Sequence, residues 1–188
     1  MKNILLPVLT ACSLVSTQAA LFEYSVSLDG PSEPSPSLGT GSGTVIYDDL
    51  NHTLQLQVSF SGLQGTTTQS HIHGPTTTPF AGTASVATTT PNLAGFPLGV
   101  TSGSFSNTLD LTLASSYNPS FITANGGTTA GAEAALAAAM AGGRTYWNIH
   151  SSDFPGGEIR GFLVPEPSTL ALFGLGAGFL AWRLRQRR

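Results

Sequence analysis

Three histidines in two strand-like segments are the residues of this chain best suited to chemistry. His71 and His73 lie two apart in the segment HIHGP, and His150 ends the segment YWNIH. Residues two apart in a β-strand project from the same face, with Cα atoms about 6.5–7 Å apart. Two imidazoles at that spacing can bind one metal ion through bonds of about 2.0–2.1 Å. If the two strands are neighbours, His150 supplies a third nitrogen, and copper or zinc suits such a histidine set.

The same three histidines also fit purely structural roles. His71 and His73 can hydrogen-bond to loop carbonyl groups at the end of their strand, and His150 can cap the turn at residues 151–153. A contact to a small ligand or a sugar is a third alternative. The sequence favours the structural role first and the metal site second, so copper or zinc is a hypothesis and no cofactor is firmly predicted.

Other polar residues near these segments do not form a catalytic set. Glu158 and Arg160 are two apart, which predicts an ion pair between them or with a neighbouring strand. Ser151 and Asp153 flank His150, but side chains adjacent in sequence rarely form a catalytic triad, and the sequence has no nucleophile-elbow motif. We therefore predict no enzymatic activity. An alternative function, carbohydrate binding, would use a stacking patch of three aromatic residues: Tyr117, Tyr146 and Trp147.

Apolar and polar residues alternate along several segments that would position these histidines. The clearest segment is Thr53–Phe60, in which every second residue is apolar. Further strands are predicted at residues 22–28, 44–47, 69–74, 82–87, 102–112, 145–150 and 158–164. One short helix is predicted from a Thr129 cap through an alanine-rich run to Gly142-Gly143. This set predicts a mainly β fold, a two-sheet Greek-key or immunoglobulin-like β-sandwich with one short helix.

The charge of the middle of the chain excludes one class of partner. Residues 20–163 contain nine acidic residues, two arginines and no lysine, so their net charge is −7. A nucleic-acid-binding domain needs cations that replace the counterions of phosphate groups. We therefore expect no nucleic-acid partner. About 145 residues suffice for one domain with its own core.

The N-terminus has the features of a secretory signal peptide. Lys2 precedes an apolar segment from Ile4 to Val15, and Thr17-Gln18-Ala19 places small residues around a cleavage site. We predict a signal peptide over residues 1–19. The segment Leu9–Cys12 also resembles a lipobox, which would make Cys12 a site of lipidation. Cys12 is the only cysteine, so removal of the signal peptide leaves a chain without a thiol.

The C-terminus combines a proline-rich start, an apolar run and a basic end. Pro165-Glu166-Pro167 precedes fifteen residues, Ser168–Trp182, that carry no charge. A helix of this length spans about 22 Å, and interfacial Trp and Arg side chains can extend it toward the ~30 Å bilayer core. Four arginines follow and place the C-terminus in the cytoplasm. We predict a C-terminal transmembrane helix.

The tail from Val164 to Arg188 resembles the PEP-CTERM sorting signal. Its Pro-Glu-Pro tripeptide, apolar run and arginine-rich end occur in the same order as in that signal. The resemblance implies export in a Gram-negative bacterium, a transient anchor in the inner membrane, and processing by an exosortase near Pro165–Pro167. It also implies delivery to the cell surface or an extracellular matrix, where exopolysaccharide or other surface proteins are the expected partners.

The middle of the chain resembles the CHRD domain, which is named from chordin. The resemblance rests on HIHGP at residues 71–75 and on the segment YWNIHSSDFPGGEIRGFL at residues 146–163. It implies a β-sandwich with a structural or binding role. The expected organisation is a signal peptide (1–19), a CHRD domain (20–163) and a sorting tail (164–188). The expected function is that of an exported, surface- or matrix-displayed module, with metal handling or redox chemistry and carbohydrate binding as alternatives.

Overall fold

A computed structural model describes residues 21–167 of the chain. The predicted signal peptide and the predicted transmembrane helix with its arginine-rich end lie outside these described residues. Within residues 21–167, no helix is both long and apolar enough to cross a membrane.

Alternating sequence patterns form most of the strands. The described residues contain eight strands: β1 (Leu21–Asp29), β2 (Thr40–Asp48), β3 (Thr53–Ser61), β4 (Thr67–His73), β5 (Gly103–Asp110), β6 (Tyr146–Ser151), β7 (Ile159–Phe162) and β8 (Val164–Pro165). In β3, every second side chain from Leu54 to Phe60 is buried and the glutamines between them are exposed. Burial of this apolar row holds β3 against the core.

All eight strands are hydrogen-bonded into one antiparallel sheet. Its order is β4-β6-β7-β1-β2-β3-β5, and β8 pairs with β1. The link between β7 and β1 runs through a single register pair, Arg160 opposite Asp29. Trp147 of β6 and Phe105 of β5 are far apart in the strand order, yet their ring centroids lie only 6.4 Å apart. The sheet therefore curls so that these two strands face each other. The apolar core lies inside the curl.

The mainly β class predicted from the sequence is confirmed. The strand pattern of the sequence predicts two sheets, whereas the hydrogen bonds join the described strands in one curled sheet. Alternation identifies the buried face of a strand but does not identify the strand edges that meet, so it could not predict the β7–β1 link. Residues 82–87, predicted to be a strand, instead run beside β4 and make an isolated bridge between Val86 and His73.

Two α-helices lie between β5 and β6, where the sequence predicts one. Helix α2 (Thr129–Ala141) is the predicted helix, but its cap is Thr128, whose side chain accepts a hydrogen bond from Gly131 N. Helix α1 (Pro119–Ala124) was missed, although Asn118 caps it and proline at its first position is a recognised start signal. The six residues of α1 are too few to show a helical period.

Both faces of β6 are covered, and this determines where the histidines lie. All six residues of β6 are buried. Trp147 and Ile149 face the apolar core. The opposite face carries Tyr146, Asn148 and His150, and it is covered by loops that follow β4 and β6. A polar row is therefore enclosed on the side of the sheet away from the core.

Candidate metal centre

Strands β4 and β6 are antiparallel neighbours, which is the arrangement that a three-histidine site requires. Their register places His71 opposite Asn148 and His73 opposite Tyr146, and Gln69 lies opposite His150. Because residues two apart share a face, the three histidines lie on the same side of the sheet. The pairing of β4 with β6 thus brings together residues that are nearly eighty positions apart in the chain.

The three imidazoles form a compact, buried cluster. Their ring centroids are 5.4 Å apart for His71–His150 and 5.8 Å apart for the other two pairs. One ring nitrogen from each histidine lies within 4.8 Å of those from the other two. The residues are only 2%, 8% and 7% exposed for His71, His73 and His150. Nitrogens bound to one ion lie about 3.3–4.2 Å apart, so a metal fits after small ring movements.

Backbone carbonyl groups define which nitrogen of each ring carries the proton. Each imidazole has one nitrogen at hydrogen-bond distance from a loop carbonyl oxygen: His71 Nε2 to Pro91 (2.7 Å), His73 Nδ1 to Ala84 (2.9 Å) and His150 Nδ1 to Pro155 (3.0 Å). A carbonyl oxygen can only accept, so each of these ring nitrogens donates. The other nitrogen of each neutral ring therefore carries a lone pair.

The lone-pair nitrogens have no partner in the described structure. His71 Nδ1, His73 Nε2 and His150 Nε2 are buried and make no hydrogen bond. Leaving a buried acceptor unsatisfied costs about 1–3 kcal/mol. A histidine that donates to a carbonyl with one nitrogen and offers a lone pair with the other has the arrangement of a metal ligand with its outer-shell partner.

Burial also keeps the cluster neutral. The pKa of His73 is lowered to about 4, mainly by removal from water and in addition by the neighbouring histidines and Arg160, against the effect of its carbonyl hydrogen bond. Burial likewise lowers the pKa of His71 and of His150, opposed in each case by the hydrogen bond to a carbonyl. All three lone pairs are therefore free of protons at neutral pH, the state that metal binding requires.

Comparison with known proteins identifies the domain that carries this cluster. The CHRD domain family model matches residues 24–163, which is most of the chain. The chain belongs to the CHRD domain family. The PEP-CTERM protein-sorting motif matches residues 163–188. Together the two matches indicate an exported protein that an exosortase sorts. Searches of the curated proteins and of the solved structures found no match.

A buried aromatic and charged group adjoins the histidines of the CHRD domain. The ring of Tyr146 stacks on His73 with centroids 4.9 Å apart, and the guanidinium carbon of Arg160 lies 4.9 Å from the Tyr146 ring centroid. Arg160 Nε lies 3.2 Å from a carboxylate oxygen of Glu33 and donates to the carbonyl oxygen of Ser32. The cation of this ion pair is thus one aromatic ring away from the cluster.

The predicted contact between Glu158 and Arg160 is replaced by other partners. Arg160 pairs with Glu33 in the loop after β1. The carboxylate of Glu158 accepts hydrogen bonds from Ser37 Oγ (2.6 Å), Gln64 N (2.6 Å) and Gly65 N (3.2 Å). Glu158 precedes the first residue of β7, so the strand alternation behind the prediction does not extend to it.

The aromatic patch proposed for carbohydrate binding does not exist at the surface. Tyr117, Tyr146 and Trp147 are all buried. Trp147 Nε1 donates to Ser70 Oγ inside the domain, at 2.8 Å. Side chains with no free face cannot stack on a sugar, so the prediction of a stacking patch is wrong. Tyr117 and Trp147 pack in the apolar core, and Tyr146 stacks on His73 on the other side of the sheet.

His52, the fourth histidine, lies apart from the cluster. Its Nδ1 is 2.9 Å from Glu133 of α2, and its side chain is 51% exposed. The hydrogen bond and charge of Glu133 raise the pKa of His52. The sequence pattern did not predict this pair or the role of Glu33. It did predict hydrogen bonds from His71 and His73 to loop carbonyl groups, which the structure confirms, but it did not identify which carbonyls. A backbone carbonyl has no signature in the sequence, so only the tertiary structure could identify those partners.

Proposed function

We propose that this CHRD domain is a non-enzymatic metal-binding module, displayed outside the cell, that holds one copper or zinc ion on His71, His73 and His150. The observation that carries the proposal is the set of three buried ring nitrogens that have lone pairs and no partner. A binding role of this kind gives those nitrogens the ligand that their surroundings lack.

A purely structural role explains only one of the two ring nitrogens of each histidine. The hydrogen bonds to loop carbonyl groups fasten the loops over β4 and β6, as a structural histidine would. In that role the second nitrogen of each ring is removed from water without a hydrogen bond to replace the one it loses, which destabilises the fold. Three such nitrogens on rings whose ring nitrogens approach within 4.8 Å of one another favour a bound ion, and imidazole ligands suit copper and zinc.

The orientation of His150 favours a ligand over a catalytic base. Its Nδ1 donates to Pro155, and its neighbour Ser151 is buried and pairs with the backbone N–H of Phe154 through Oγ. His150 therefore does not share a proton with the adjacent serine as a nucleophile and base would.

The sorting tail supports a place of action outside the inner membrane. Val164–Pro165 forms the short strand β8 beside β1, and residues 164–167 are exposed. An enzyme can therefore reach Pro165-Glu166-Pro167 without unfolding the domain. Our proposal is that the tail anchors the protein in the inner membrane of a Gram-negative bacterium. Exosortase processing near this tripeptide then releases the module to the cell surface or an exopolysaccharide matrix.

Metal analysis of the purified protein tests the binding proposal. After incubation with copper or zinc and removal of free metal, we expect one ion per chain by mass spectrometry. A variant with His71→Ala and His73→Ala should lose the ion, while the matched control His52→Ala should retain it. Wild-type protein that binds neither metal, or a double variant that binds as much as wild type, would contradict the proposal.

A separate measurement tests display and processing. The intact mass of protein recovered from the cell surface should correspond to a chain that ends near residues 165–167. Replacement of Pro165 and Pro167 by alanine should leave full-length protein in the inner membrane. Surface protein that retains Arg188 would contradict processing, whatever the result of the metal analysis.

A further inference from the structure

We infer that the three-histidine site selects the monovalent ion Cu(I) over the divalent ions Zn²⁺ and Cu²⁺. This inference rests on the proposed function, since it concerns which ion the same three nitrogens hold. Three features of the described residues support it: the number of ligands, their lack of charge, and the position of Arg160.

The cluster supplies three ligands, and all three are buried. The described histidine, cysteine, aspartate and glutamate side chains that converge there are His71, His73 and His150, with no carboxylate or thiolate among them. Zinc is four-coordinate in proteins and takes water when the protein supplies three ligands. The free nitrogens of this cluster are buried away from solvent, so a water molecule serving as the fourth zinc ligand would have to be enclosed with the ion. Cu(I) needs only two or three ligands.

The ligands bring no negative charge to a buried position. Neutral imidazoles leave the whole charge of the ion uncompensated. The cost of moving an ion out of water increases with the square of its charge, so it is about four times greater for a divalent ion than for a monovalent one. Structural zinc sites commonly reduce this cost with thiolates, and this chain has no cysteine outside its N-terminal segment.

Arg160 adds a repulsion that also increases with the charge of the ion. Its guanidinium group lies over Tyr146, whose ring stacks directly on His73. Glu33 balances that charge from the loop after β1. Because Coulomb energy is proportional to the charge of the bound ion, any change in this ion pair alters the binding of a divalent ion about twice as much as that of Cu(I).

Competition with chelators measures the preference directly in the full chain at pH 7.5. Cu(I) affinity is measured without oxygen against bicinchoninate, and Zn²⁺ and Cu²⁺ affinities against a chromophoric chelator. We expect one Cu(I) per chain, bound at least about tenfold more tightly than either divalent ion. Binding of Zn²⁺ or Cu²⁺ as tight as that of Cu(I) would overturn the inference and leave the proposed metal-binding function intact. Failure to bind any of the three ions would overturn both.

Two variants of the ion pair test its physical basis. Arg160→Gln removes the cation, and Glu33→Gln removes the anion, so both break the same contact while changing the net charge in opposite directions. Arg160→Gln should strengthen the binding of both ions, and the increase in Zn²⁺ affinity should be about the square of the increase in Cu(I) affinity. Glu33→Gln should weaken the binding of both ions, and the decrease for Zn²⁺ should again be about the square of the decrease for Cu(I). Circular dichroism establishes that each variant is folded. Equal factors for the two ions, or shifts of the same sign in both variants, would overturn the electrostatic argument.

Discussion

Acid should destabilise the metal-free domain through His73, by an amount that the structure allows us to work out. Burial lowers the pKa of His73 from 6.5 to about 4 in the folded state. Between pH 6.5 and pH 4, His73 is therefore mostly protonated in the unfolded chain and mostly neutral in the folded chain. Stability contributed by this group is present above pH 6.5 and is lost as the pH falls toward 4.

The size of the loss follows from the difference between the two pKa values. One pKa unit corresponds to 1.36 kcal/mol, so the full shift of His73 is worth about 3 kcal/mol, and most of it is lost by pH 4.5. Burial lowers the pKa of His71 and His150 as well, so their losses add in the same direction. For a domain with total stability of about 5–15 kcal/mol, this is a large fraction.

Urea unfolding of the metal-free protein at pH 7.5 and pH 4.5, followed by circular dichroism, measures the effect. His73→Gln removes the titration and keeps a polar side chain, so it should lose about 2–3 kcal/mol less than wild type between the two pH values. His52→Gln is the contrasting variant: the pKa of His52 is raised, so its pairing stabilises the protein in acid and its replacement should increase the loss between the two pH values. If His73→Gln loses as much stability in acid as wild type, burial of a neutral His73 is not the source of acid sensitivity.

Three further substitutions have outcomes that the contacts determine. Glu158→Ala leaves the N–H groups of Gln64 and of the buried Gly65 without their carboxylate partner, so chemical unfolding should reveal a loss of about 2–4 kcal/mol, whereas Glu23→Gln at an exposed position should change little. Gly161→Ala would place a Cβ 2.0 Å from the carbonyl oxygen of Ser27 and separate β7 from β1, so a loss of at least about 2 kcal/mol is expected. Gly156→Ala, with open space around its Cβ, should unfold like wild type; equal effects of the two alanines would refute this account. His52→Gln should destabilise the protein more at pH 6 than at pH 9, because protonated His52 pairs with Glu133; a cost independent of pH would show that charge does not matter there.

Much of the local structure could be predicted from the sequence. The alternation in β3, the glycines after α2 and the Pro-Glu-Pro motif each depend on residues close together in the chain. The shared face of His71 and His73 is also local, since it follows from their spacing in one strand. These predictions succeeded where a short segment carries its whole signal.

Other predictions failed because they depended on partners far away in the chain. Arg160 pairs with Glu33, 127 positions earlier, and Glu158 binds the backbone at Gln64 and Gly65. The burial of Tyr146 depends on loops that cover the second face of β6. No pattern within a strand reports on contacts of this kind.

The chain by itself determined the strand-forming segments, the sorting tail and two histidines on one face, because backbone geometry alone dictates those features. Only the tertiary structure decided that β4 lies beside β6, that His150 completes the cluster, and that loop carbonyl groups orient all three rings. Those outcomes depend on which strand edges meet and which loops cover them. The pairing of the strand edges and the position of the loops are both determined by the packing of the whole domain.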